Sequence, residues 1–284
     1  VIRDQILKTY NIPITASVVT AEIDPRYLGS AKMVAIAKSI YMLPNVEIGV
    51  HAFTHPLDWK NQVTSFEIKD YSKVLSTEEI QKLDLPSESV YQSGARVLTS
   101  KEEFLNREIR DAVDYINQYL APPGKQTVIC QWTGNCQPPA EAIELVNQIG
   151  IENINGGDSR FDKARSSYTN ISSLTRQASQ RVQIHSSNAN ENIYTTGWKA
   201  PFDRFTQVIE TFQETEKPTL VKTAPRRISP INVYYHFFTG EKLLALDALK
   251  TVYEYALRQN VIPIFTSEYA KVVKGFLKGE IYRM

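Results

Sequence analysis

Short apolar runs rich in β-branched residues alternate along this chain with stretches whose apolar residues recur at helical spacing, which restricts the fold to repeated β-α units around a parallel sheet or barrel. Ile2, Ile6 and Leu7 share one helical face and predict a helix over 1–10, ended by Asn11-Ile12-Pro13. Strands are expected over 14–23 and 46–52, with a helix over 31–43 between them. A polar excursion follows at about 58–100, with a short capped helix at Ser76-Thr77-Glu78-Glu79; such excursions serve either as lids or as solvated insertions. The pattern resumes with an amphipathic helix over 101–120, a strand over 127–132, a helix over 139–149 stopped by Gly150, and a short strand over 151–154. Residues 159–192 read as loop with a weak strand over 182–185. Strands over 192–199 and 231–238, a helix over 240–259, a last strand over 261–266 and a closing helix complete the pattern. No internal repeat interrupts it, and a single α/β domain over 1–284 is the expected organisation.

Lys and Arg number 32 against 31 Asp and Glu, so a net charge of +1 supplies no field for nucleic acid or an anionic membrane. No stretch approaches the ~20 apolar residues of a membrane span, and the first residues lack the charged and apolar regions of a signal peptide. The two cysteines, Cys130 and Cys136, build no disulfide framework; buried free thiols and one local bridge are both compatible with their spacing.

In parallel α/β folds the strand C-termini converge on one face, so polar residues at successive strand exits become neighbours. Here those exits carry Glu22, then His51 and His55, then Trp132-Thr133-Gly134-Asn135, then Asn155 and Asp158, then Trp198, then His236. Two imidazoles leaving one strand end can take adjacent corners of a coordination sphere, although the spacing His-x-x-x-His also arises by chance. His236 lies within an aromatic strand, where it acts either as a general acid or as a buried histidine held by a backbone carbonyl. Gly134 and Gly157 permit close backbone approach and exposed amides for an oxyanion, or simply serve turns. His185 stands in a polar, loop-like context with no assigned role.

Four segments together carry a resemblance: His51-Ala52-Phe53-Thr54-His55-Pro56, Trp132-Thr133-Gly134-Asn135-Cys136, Asn153-Ile154-Asn155-Gly156-Gly157-Asp158 and Tyr234-Tyr235-His236-Phe237. In this order the chain resembles the polysaccharide deacetylases of carbohydrate esterase family four, most closely their exopolysaccharide-modifying branch. The resemblance implies the deformed (β/α) barrel called the NodB fold. It also implies a divalent metal, most often zinc, held by an aspartate and two histidines, which are His51 and His55 here. A water made acidic by the metal attacks an acetyl carbonyl, a second aspartate is the base, and His236 protonates the departing amine. An amide near Trp132 would share the oxyanion, and Trp132, Asn135, Asp158, Trp198 and Tyr235 would line the polysaccharide site. A periplasmic or extracellular setting, with export machinery or further domains as partners, follows from the same resemblance.

Three departures stand out. Ala52 replaces the Ser or Thr that usually follows the first histidine, and Asn135 stands where the related branch has Asp. The aspartate-bearing first strand of the family has no counterpart before the helix over 1–10, which the lead reading explains by shortening of a larger protein. The alternative is a catalytically silent carbohydrate-binding relative; Glu22 is the one stand-in carboxylate at a strand exit.

Overall fold

A computed structural model of the chain describes residues 1–60, 100–157, 159–161, 163, 165–186, 188–190, 209–214 and 230–279. The helix expected at Ser76-Thr77-Glu78-Glu79, the strand over 192–199, and the site residues Asp158 and Trp198 lie outside the described residues. The chain divides into two compact units, one comprising Val1–Ile12, Asn155–Arg176 and Ile184–Pro263, the other Pro13–Ile154, Gln177–Gln183 and Ile264–Met284.

The second unit is built on a parallel sheet of β1 (Ile14–Val18), β2 (Val46–Val50), β3 (Thr127–Gln131) and β4 (Glu152–Ile154). The spatial order is β1-β2-β3-β4, so every crossover advances in the same direction and the sequence of strands never reverses. The four-residue helical turn α2 (Thr20–Ile23) and helix α3 (Ala31–Tyr41) join β1 to β2. Ser30 caps α3 by accepting from the Met33 amide. Helix α4 runs through Lys101–Leu105, Asn106–Asp111, Ala112–Tyr115 and Ile116–Leu120, with wider π-type turns in the second and fourth pieces. Helix α5 (Ala140–Ile149) ends at Gly150, whose φ of 83° suits a residue without Cβ.

Strand alternation divides β2 into two faces. Val46, Ile48 and Val50 are fully buried apolar residues on one face; Glu47, Gly49 and then His51 follow the other. On that second face the Glu47 carboxylate accepts from the Thr15 hydroxyl, from the Ser267 amide at 3.0 Å and from the Ser267 hydroxyl at 2.5 Å. These bonds place an anion at the N-terminus of helix α7 (Thr266–Lys278), where the helix dipole favours it. Lys274 in the same helix pairs with Glu152 of β4, so polar groups fasten the closing helix to the sheet at its start and again in its second half.

The first unit contains α1, with π-type turns over Arg3–Leu7 continuing as Lys8–Tyr10, and its face of Ile2, Ile6 and Leu7 is buried as the periodicity predicts. Strand β7 (Asn188–Asn190) pairs in parallel with β8 (Asn232–Tyr234), and helix α6 (Leu243–Leu257) follows. The Tyr253 ring lies 4.9 Å from that of Tyr10, and burial pushes its hydroxyl pKa up to about 12. A further strand pair, β5 (Thr175–Ala178) with β6 (Arg181–Ile184), forms around the weak strand expected over 182–185.

Several elements differ from expectation. The strand expected over 14–23 stops at Val18, because the Thr20 and Ala21 amides turn to the Ala52 and Phe53 carbonyls at 3.2 and 2.8 Å. The strand expected over 231–238 closes at Tyr234, and Phe237–Glu241 is a 3-10 turn. No strand forms over 261–266, where Ile262 is 86% exposed and Thr266 opens helix α7; apolar composition alone completes no ladder. Both cysteines are free thiols, Cys130 buried and Cys136 half-buried, and burial raises the Cys130 pKa.

Lys125 binds three backbone carbonyls at the junction of α3 and β2, those of Tyr41 (2.9 Å), Leu43 (2.6 Å) and Val46 (2.7 Å). Lys125→Met leaves those acceptors without their charged donor and is expected to lower the unfolding free energy by about 1.5–3 kcal/mol. Urea denaturation measures it, and a midpoint equal to that of the wild type would remove Lys125 from the account of this junction.

Candidate functional site

β2 is an inner strand of its sheet, and its C-terminal exit carries the histidine pair. His51 remains tied to the strand pairing through its amide, which donates to the Val18 carbonyl at 2.9 Å. Its Nδ1 lies 2.8 Å from the Gln131 carbonyl oxygen. A carbonyl only accepts, so Nδ1 carries the proton and Nε2 of the neutral ring carries the lone pair. This is the arrangement that fixes the tautomer and orientation of a metal-ligating imidazole. The His55 ring centroid is 5.0 Å from that of His51, with 66° between the planes.

Below the pair, the sheet face is polar. The Ser17 hydroxyl of β1 bonds the Gln131 side-chain oxygen of β3, spanning the intervening strand at Gly49. A Cβ on Gly49 would come within 3.1 Å of Ser17 Cβ, so the absence of a side chain there leaves room for the bridge. Gln131 thus orients His51 through its backbone and is itself held through its side chain.

The loop from His51 to His55 has an unfavourable backbone. Ala52 and His55 adopt φ of 61° and 60°, the left-handed region that non-glycine residues rarely enter. What holds it is Glu108, a fully buried residue of α4. Its Oε2 accepts from the Phe53 and Thr54 amides at 3.1 and 2.8 Å, and its Oε1 from the Thr54 hydroxyl at 2.7 Å. Burial pushes the Glu108 carboxyl above the usual carboxylate range, while the Thr54 and Phe53 bonds and the Arg107 charge pull the other way. The Arg107 guanidinium lies 5.1 Å from the centre of the buried Phe53 ring. Sequence reasoning missed Glu108, because an Arg-Glu pair on an amphipathic helix reads as a solvated edge.

The loop is also joined to the turn after β3. The Thr133 hydroxyl donates to the Pro56 carbonyl at 2.7 Å and accepts from the Trp59 indole N–H at 3.1 Å. The Asn135 amide donates to the Leu57 carbonyl at 2.8 Å, and its side-chain nitrogen donates to Asp58 at 3.2 Å. Gly134 makes this contact possible: its φ is 58°, and a Cβ would fall 2.3 Å from the Leu57 carbonyl oxygen.

Some of the residues expected at the site have other work. Trp132 is 0% exposed, its ring edge-on to Trp59 and its N–H donating to Asn153 at 3.2 Å, so the structure places it in the core and not on a sugar-stacking surface. The amides of Trp132, Asn135 and Cys136 donate to the carbonyls of Ile154, Leu57 and Thr133, so those three are committed and not left for an oxyanion. Glu22 is exposed in the α2 turn; the buried carboxylate beyond β1 is Asp24, paired with Arg26 at 2.6 Å. Among the described residues no group of three or more His, Cys, Asp or Glu side chains converges to hold an ion.

The remaining candidates belong to the other unit. His236 is half-buried between two aromatic rings, Tyr234 at 5.5 Å edge-on and Phe238 at 5.0 Å stacked. Tyr235 stacks on Phe237 and meets Tyr253, whose hydroxyl lies 3.2 Å from its own. Asn155 is buried with φ of 104°. A Cβ on Gly157 would overlap the His185 ring at 2.4 Å, so this glycine serves the close approach of an imidazole that no local pattern marks.

Gly134→Ala combines left-handed strain with a backbone clash and is expected to cost about 1–3 kcal/mol, with altered near-ultraviolet dichroism as Trp59 and Trp132 are displaced. Unchanged stability and spectrum would show that the loop and turn do not depend on this contact. Compared with models of known protein families and with curated proteins, the chain matches none.

Proposed function

We propose that this protein is a metal-dependent deacetylase of an N-acetylated amino-sugar polysaccharide, acting through a deformed (β/α) barrel. The observation that carries the reading is the His51–His55 pair: two imidazoles 5.0 Å apart at an inner strand exit, one with its Nδ1–H committed to a carbonyl. Borderline cations such as zinc favour neutral imidazole nitrogen, and the donor set fits two of the three protein ligands of an open catalytic site. The unreversed strand order β1-β2-β3-β4 is the progression of a singly wound barrel wall and agrees with the NodB fold that the resemblance implies.

In this reading His51 and His55 hold the cation, which supplies Lewis acidity to an acetyl carbonyl when bound. Gln131 and Ser17 keep the His51 lone pair directed away from the sheet. The resemblance gives His236 the part of the acid that protonates the departing amine, a role worth roughly a hundred- to ten-thousand-fold in rate. The aspartate ligand and the aspartate base of the family pattern have no identified counterpart in residues 1–284. The test is run on the protein as its gene encodes it.

Acetate release from an acetylated glucosamine oligomer is followed together with zinc content. His51→Ala and His55→Ala are each expected to abolish stoichiometric zinc and lower acetate release at least about 100-fold. His236→Asn is expected to keep the zinc and lose turnover in proportion to kcat, with KM little changed. A full gene product that takes up no divalent ion, or releases acetate equally well without one, overturns the proposal and favours a silent carbohydrate-binding protein.

A further inference from the structure

We infer that Glu108 is a positioning residue that sets how tightly the two-histidine loop holds a divalent cation, an inference resting on the reading proposed above. A carboxylate taken fully out of water is costly unless its oxygens are occupied. Here the described bonds use both oxygens, and all three donors come from Phe53 and Thr54, between the two histidines. The match is one of type as well as distance: two of the three partners are backbone amides, which can only donate, and both donate to the same carboxyl oxygen.

The conformation held in this way does not hold itself. Left-handed φ at Ala52 and His55 is costly for residues with a Cβ and persists only where the surroundings impose it. The strain lies immediately after His51 and at His55 itself, so it decides where the second imidazole points relative to the first. Glu108 bonds the loop between them without ligating anything. Its place in a π-type turn of α4, Asn106–Asp111, suits this task, since such turns shift a side chain out of the ordinary helical register. Arg107 in the same turn lies against Phe53, so two adjacent residues grip adjacent parts of the loop.

Glu108→Gln keeps the side-chain volume and one oxygen for the two amides, but it takes the charge out of those bonds and forces the Thr54 hydroxyl to turn round and accept from the new NH2 group, so the grip is weakened. Ile143→Val, in the buried face of α5, serves as a control for lost stability alone. Zinc affinity is measured by calorimetric titration of the full gene product, alongside thermal unfolding of the metal-free protein. Glu108→Gln is expected to weaken zinc binding about 10- to 100-fold, while Ile143→Val leaves it within about twofold despite a lower unfolding temperature. Should Glu108→Gln fail to fold, Thr54→Val removes one donor from the same grip and is expected to weaken zinc severalfold. Equal zinc affinity in wild type and the loop variants overturns this inference and leaves the deacetylase proposal standing. Absence of zinc binding in the wild type overturns both.

Discussion

A strand that ends must give its last backbone groups new partners, and the exit of β2 does so with groups brought from three separate places. Thr20 and Ala21 donate to the carbonyls of Ala52 and Phe53, Glu108 accepts from the amides of Phe53 and Thr54, and Thr133 and Asn135 donate to Pro56 and Leu57. Buried backbone groups left unpaired cost as much as a lost hydrogen bond each, so this satisfaction is a condition for the loop's burial. The histidines inherit their placement from it. His51 still belongs to the sheet through its amide, whereas His55 depends on the loop's left-handed turns.

The sheet face beneath the histidines is unusual in its polarity. Thr15, Ser17, Glu47 and Gln131 occupy positions where a buried parallel strand is more often Val or Ile. The structure satisfies them in two groups. Near the strand starts, Thr15 and Glu47 receive the N-terminus of α7; near the exits, Ser17 and Gln131 bridge over Gly49 and direct His51. A fully bonded polar network of this kind stiffens its surroundings, and a broken one exposes unpaired groups at low dielectric. The histidine pair therefore stands on a rigid base at one strand and on a braced loop at the other end.

Much of the architecture was legible because it depends on short-range periodicity. The buried face of Ile2, Ile6 and Leu7, the helix through 101–120 and the stop at Gly150 all appear where spacing places them. Gly134 permits close backbone approach by its composition, and it approaches Leu57 to seat a loop and not to free an amide. Apolar composition by itself misled at Val261 to Phe265, which has strand composition and forms no strand. Trp132 misled in the other direction, since an aromatic beside a turn signal is equally a core residue, and its ring is buried edge-on to Trp59.

The amino-acid order by itself determined the succession of β and α elements and the delivery of two imidazoles to one strand exit, because both follow from residues within a few positions of each other. Which His51 nitrogen bears the proton, where β1 stops and what braces the histidine loop were decided only in the tertiary structure. Each depends on a group from a distant segment: the Gln131 carbonyl is 80 residues from His51, and the Glu108 carboxylate is 54 residues from Thr54. No local pattern encodes those meetings, since a glutamate on a helix is ordinarily solvated, and only packing that removes water from Glu108 turns it into the anchor of the loop.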